Sequence, residues 1–225
     1  MEASNTIKKE TLRFLENLKK NNNREWFNEN KEKYLAANDN FLHFVQGVID
    51  QAAKFDESLA GLSAKGTVFR IYRDIRFSKD KTPYKTGFGA TLMGKTSMCG
   101  NAGYYLHLEP GNAFLAGGVH MPEPKEMKAI REAIKENGKK FLKIINDKTF
   151  RENFTLEGKK AEQVPRGFDT EDTMAEYLKY KELMAWHPVS DKEILSDGFA
   201  DNCVRVFKAM MPFNQFLLEP LMALK

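Results

Sequence analysis

The four residues Glu109-Pro110-Gly111-Asn112 join two segments, 103–109 and 112–119, that each read as a β-strand. A parallel pair needs a crossover of roughly a dozen residues or more, so a connection this short makes the two strands antiparallel. A third candidate, about Thr86 to Met93, precedes them. From Thr67 onward a fourth segment alternates Phe69, Ile71, Ile75 and Phe77 with Arg70, Tyr72, Asp74 and Arg76, the period of a strand with one buried face. Arg73 breaks the pattern by falling on the apolar side. Successive strands separated by glycine-rich turns predict an antiparallel meander.

Helical patterns flank this block. Ile7, Thr11, Phe14, Leu15 and Leu18 repeat at helical spacing, and the run Asn21-Asn22-Asn23 ends that helix and can cap the next. Trp26, Phe27, Tyr34, Phe41, Val45, Val48, Ile49 and Ala52 predict one long helix, or two abutting ones, out to about Phe55. Beyond Pro122 and Pro124, Met127, Ile130, Ile134, Phe141, Leu142 and Ile145 are in helical phase, with Gly138 a break. Residues 150–168 read as mixed and turn-rich, Leu183 to Val189 as a short edge strand, and 198–211 as a helix. Pro212 and Pro220 are expected to punctuate a final helical tail.

The fold expected is therefore α+β: N-terminal helices, a central antiparallel meander of about four or more strands, and C-terminal helices packed on the sheet. With 225 residues and 42% apolar content the chain can bury a full core, and residues 1–225 are expected to form a single domain.

No apolar run reaches membrane-spanning length, and the start MEASNTIKKE lacks the apolar stretch of a secretory signal. A cytoplasmic protein with no membrane partner is expected. Cys99 and Cys203 are too few for a disulfide framework or a zinc site, and nothing in the sequence calls for a cofactor or a metal.

The stretch GATLMGKT, residues 89–96, fits the phosphate-loop pattern at Gly89, Gly94, Lys95 and Thr96. Four fixed positions arise by chance in roughly one chain in a hundred of this length. A phosphate loop also needs a helix directly after its Lys-[ST] pair, whereas SMCGNAGYY follows here, and no apolar strand ending in aspartate lies downstream to hold magnesium. The nucleotide-hydrolase reading is rejected in favour of a strand and its turn.

Charge is unevenly spread. Residues 65–95 hold eight basic and two acidic residues, a net of +6, so the remainder of this +4 chain is at −2. Such clustering attracts phosphate or carboxylate. Within it, Arg70, Tyr72, Asp74 and Arg76 would share one face of an extended segment, and a turn at 78–82 would bring Lys79 and Lys81 to its end before Tyr84 and Lys85. Arginine forks, ammonium groups and stacking tyrosines together make an anion cradle, with Arg73 as a further contributor. Arg73 could equally be a partly buried arginine paired with a carboxylate, and Asp74 and Asp80 salt-bridge partners or turn caps. As acid–base candidates the sequence offers Asp74, Asp80 and His107. His107 and Glu109 share a strand face, and His120 follows the next strand, but two histidines without a third ligand make no metal site.

The stretch RDIRFSKDKTPYK at 73–85, with GYYLHLEP at 103–110, FLAGGVHMP at 114–122 and VPRGFD at 164–169, resembles the family called domain of unknown function 2461. The resemblance spans about residues 7–220 and implies one conserved domain of bacteria and fungi, with no activity to carry over. The sequence departs from it at Gly87, where a histidine is expected, and at Thr173-Met174, where His-Pro is expected.

Three readings follow. In the first, the basic segment 69–85 binds a phosphorylated or polyanionic ligand, an anionic small molecule or nucleic acid. In the second, an enzyme clamps a small phosphorylated or carboxylated substrate with its arginines and uses Asp or His as acid and base. In the third, the charges are consumed in internal pairs and the motif is structural.

Overall fold

The computed structural model describes residues 5–94 and 102–224. The chain opens with α1 (Lys9–Lys20), α2 (Arg24–Glu29) and α3 (Lys31–Ala52). Asn23 caps α2, its side chain accepting from Trp26 N at 2.9 Å. After the short α4 (Ala64–Thr67) come β1 (Phe88–Leu92), β2 (Ala102–Leu108) and β3 (Ala113–Val119), followed by α5 (Pro124–Glu136), α6 (Gly138–Ile145) and α7 (Lys148–Asn153). Then β4 (Thr155–Glu157), α8 (Ala175–Leu178), β5 (Leu183–Val189), α9 (Asp191–Ile194) and α10 (Phe199–Met222) complete the chain.

The five strands form one antiparallel sheet in the order β1-β2-β3-β5-β4. Gly111, at φ 73°, supplies the left-handed residue in the turn between β2 and β3. One sheet face carries the core. Along β2, Ala102, Tyr104, Leu106 and Leu108 are buried on the face that α10 covers, while α3 packs on β1, and Tyr104 meets Phe207 of α10 at 5.0 Å between ring centroids. The alternate residues Gly103, Tyr105 and His107 project from the opposite face.

Three expectations are corrected. Residues 69–77 do not form a strand. They run out and return through 83–87 with only a few cross-links, Phe69 N to Gly89 O (2.8 Å), Arg73 N to Pro83 O (3.0 Å) and Lys85 N to Ile71 O (2.8 Å). Of the four apolar residues expected inside, only Ile71 is buried, and Phe77 is 96% exposed. The excursion departs from the sheet, so its outer part at Phe77 has no apolar cover. Leu183–Val189 is an inner strand, because β4 pairs along its outer edge. Finally, α10 continues through Pro212 and Pro220. Each proline removes a helical hydrogen bond, but Phe213, Phe216, Leu217 and Leu221 are buried in the core and hold the helix on course.

No helix among the described residues is long and apolar enough to cross a membrane.

Candidate functional site

The sheet face turned away from α10 forms the floor of a cavity of about 870 Å³. Strand register sets its shape. One cross-strand row reads Gly89, His107, Phe114, and the next Thr91, Tyr105, Ala116, Trp186. Large flat side chains thus stand among small ones at Gly89, Thr91 and Ala116. The rings form a continuous aromatic surface: Phe114 stacks on Trp186 at 3.5 Å and on His107 at 4.7 Å, and Tyr105 lies 5.6 Å from Phe114. The small residues leave the hollow above them.

The wall comes from the excursion at 69–87 and the end of α1. Phe27 stacks on Tyr84 at 3.9 Å, and Asn22 holds both backbone groups of Tyr84, donating to its carbonyl at 2.9 Å and accepting from its N–H at 3.1 Å. These contacts fasten the returning limb to α1 and α2.

Three cations line the cavity: Lys19, Arg73 and Lys85. Lys19 Nζ pairs with Glu109 at 3.4 Å, and Arg73 pairs with Asp80 and Thr82. Among the described residues Lys85 has no carboxylate partner; its ammonium lies 5.0 Å from the centre of the Phe69 ring. Burial, reinforced by the nearby charge of Arg70, lowers the Lys85 pKa.

The segment singled out in the sequence therefore divides. Arg73, Asp80, Tyr84, Lys85 and His107 come together around the cavity. Arg70, Tyr72, Asp74, Arg76, Lys79 and Lys81 do not line it. Tyr72 packs against Tyr84 at 5.4 Å and receives Lys31 Nζ at 3.4 Å. Asp74 accepts from Arg76 Nε at 3.0 Å and Nη2 at 2.6 Å, which holds its carboxyl below the usual range. Lys81 donates to the Ile75 carbonyl at 3.0 Å. Asp80 is held down to about 2, first by the Thr82 backbone N–H and then by Arg73, so it remains a carboxylate inside a turn.

Sequence reasoning missed the floor. Tyr105, Phe114 and Trp186 become neighbours only through strand register, and the local signal was the glycine and alanine at alternating positions. Glu109 was noted beside His107, yet its role as a hub depends on partners up to 90 residues away. It accepts from Thr86 Oγ1 (2.7 Å), Asn112 Nδ2 (3.0 Å), His107 Nε2 (3.2 Å) and Lys19 Nζ. Burial alone would raise its pKa, but the bonds from Asn112, Thr86 and His107 and the charge of Lys19 outweigh that and hold it at about 2.

Of the GATLMGKT stretch, Gly89 to Leu92 lie within β1, while Lys95 and Thr96 fall outside the described residues. His120 lines the cavity and pairs with Glu182 at 2.9 Å. No group of three or more His, Cys, Asp or Glu residues is placed to hold a metal ion among the described residues.

Fold and site together define an α+β protein whose sheet is covered by helices on one face and opens into an aromatic-floored, cation-rimmed cavity on the other. The chain belongs to the conserved hypothetical proteins of the DUF2461 family, whose model matches residues 10–216. No curated protein and no solved structure matches it.

Proposed function

We propose that the protein binds a small anionic ligand carrying a flat ring in the cavity over β1, β2, β3 and β5. The observation that carries this reading is Lys85, a partly buried ammonium at the cavity with no carboxylate partner among the described residues. Removing a charge from water without a counter-charge is costly, and an anion from solution would supply one. Trp186, packed on Phe114, lines the same cavity as Lys85 and offers a planar group an aromatic surface there. A volume of about 870 Å³ lies within the range of small-molecule sites.

Phenyl phosphate is a suitable probe, with benzyl alcohol as its uncharged counterpart. Lys85→Ala is expected to weaken phenyl phosphate by about tenfold, the scale of a hydrogen bond to a charged group, and to leave benzyl alcohol unchanged. Equal binding of both probes would remove the anion from the proposal.

The exposed tip of the excursion favours a second reading. Phe77 is 96% exposed beside Arg76, whose guanidinium carbon lies 5.9 Å from the ring centre, and Lys79 and Lys81 are exposed in the residues that follow. A basic tip with a bare ring suits single-stranded nucleic acid, where bases stack and phosphates meet cations. An affinity that falls steeply with salt and is lost in Phe77→Ala would support it.

A further inference from the structure

Three side chains along and just beyond β2 form a hydrogen-bonded chain that anion binding does not use. Tyr105, His107 and Glu109 are two residues apart, and same-face spacing brings them into line. Tyr105 Oη lies 3.1 Å from His107 Nδ1, and His107 Nε2 lies 3.2 Å from Glu109 Oε2.

The direction of each bond follows from the far end. Glu109 also accepts from Thr86, Asn112 and Lys19, so it acts as a carboxylate with acceptors alone. His107 must then donate from Nε2, which in a neutral imidazole leaves Nδ1 as the acceptor. Tyr105 therefore donates its hydroxyl proton to Nδ1. Burial, with the Glu109 charge second, pushes Tyr105 up to about 12, so the hydroxyl stays protonated at rest and depends on His107 to remove its proton. Tyr105 and His107 both line the cavity.

A hydroxyl bonded to an imidazole that a third group orients is the arrangement of an activated nucleophile. Taking the ligand position from the anion-binding reading, we propose that Tyr105 is the nucleophile of an acyl-transfer site, activated by His107 and Glu109, for a flat anionic ester. Tyr105 Oη forms a bond to the carbonyl carbon while its proton passes to His107 Nδ1. The bond from that carbon to the ester oxygen breaks, and the departing oxygen takes the proton from Nδ1. Water then hydrolyses the acyl-tyrosine by the same relay, restoring the phenol. Glu109 faces the imidazolium formed in each half and stabilises it.

Two reagents test the site in the intact protein. 4-(Fluorosulfonyl)benzoate combines a flat ring, a carboxylate and an electrophilic sulfur, and benzenesulfonyl fluoride lacks only the carboxylate. Attack by Tyr105 forms an O–S bond, releases fluoride and sends the proton to His107. Peptide mass spectrometry is expected to find one label, on Tyr105, and none there in Tyr105→Phe. His107→Gln and Glu109→Gln should slow labelling by both reagents about tenfold or more. Gly89→Ala, which retains every polar group but displaces the Tyr105 hydroxyl, serves if circular dichroism shows either variant unfolded; it should slow labelling comparably. Labelling elsewhere, or an unchanged rate in folded His107→Gln and Gly89→Ala, would overturn the nucleophile. Equal rates for the two reagents, unaffected by Lys85→Ala, would instead overturn the anion reading and leave Tyr105 standing.

Discussion

A Cβ on residue 89 would stand 2.5 Å from the hydroxyl oxygen of Tyr105, so the glycine of β1 is what lets the Tyr105 ring lie across the neighbouring strand. This contact gives a structural reason for the first glycine of GATLMGKT without any phosphate. Its next fixed glycine is packed too, since a Cβ on Gly94 would meet Ser58 at 2.2 Å.

Gly89→Ala should therefore lower stability by about 1–3 kcal/mol, the usual cost of overpacking, measured by denaturant unfolding. It should also lengthen the Tyr105–His107 bond, seen as a shift of the His107 ring nitrogen resonances. An alanine variant with wild-type stability and unmoved resonances would show that the ring has room.

Asn22→Ala should cost about 1–3 kcal/mol, because both backbone groups of Tyr84 lose their side-chain partner at once. Hydrogen exchange should quicken at Tyr84 and Lys85 before the β2–β3 ladder is affected. Uniform loss of protection would mean that the cavity wall is not anchored there.

Acid stability should depend on Glu109. Its folded value of about 2 lies below the ordinary 4.5, so the native state binds fewer protons than the unfolded chain between those values. The stabilisation is complete above about pH 4.5 and is lost as pH falls through about 2. Glu109→Gln should flatten that part of the acid limb of a stability–pH curve, whereas an unchanged limb would place the titration elsewhere.

Simultaneous alanine substitution of Arg76, Lys79 and Lys81 should leave phenyl phosphate affinity in the cavity within about twofold, since exposed charges at a distance are screened. The same variant should lose salt-dependent binding of single-stranded nucleic acid if the tip provides it. Calorimetry with each ligand separates the two surfaces.

The legible part of the fold was whatever local period encodes. The strand expected at 103–109, the turn at Gly111 and the cap at Asn23 all appear in the structure. The segment 69–77 misled because alternation marks a strand only where something covers the apolar side, and Phe77 has no cover. Pro212 and Pro220 misled for the opposite reason, since buried neighbours along α10 outweigh the local penalty. Of the cations in the charge-rich segment, Arg73 and Lys85 line the cavity while Arg70, Arg76, Lys79 and Lys81 do not, a division set by how the excursion folds back. The aromatic floor links Tyr105 through Phe114 to Trp186, 81 positions on, and it is strand register that brings them together.

The central claim is that an anion with a flat ring sits on the open sheet face beside Lys85. A ¹⁵N-resolved NMR titration with phenyl phosphate tests it directly, repeated with Lys85→Ala and at rising pH. The predicted result is a set of shifts centred on Gly89, Tyr105, Phe114, Lys85 and the Trp186 indole, weakened in the variant. Because burial lowers the Lys85 pKa, the affinity should decline on the alkaline side before the ordinary lysine value of 10.5 is reached. Shifts confined to residues 74–81, or undiminished binding in Lys85→Ala, would contradict it.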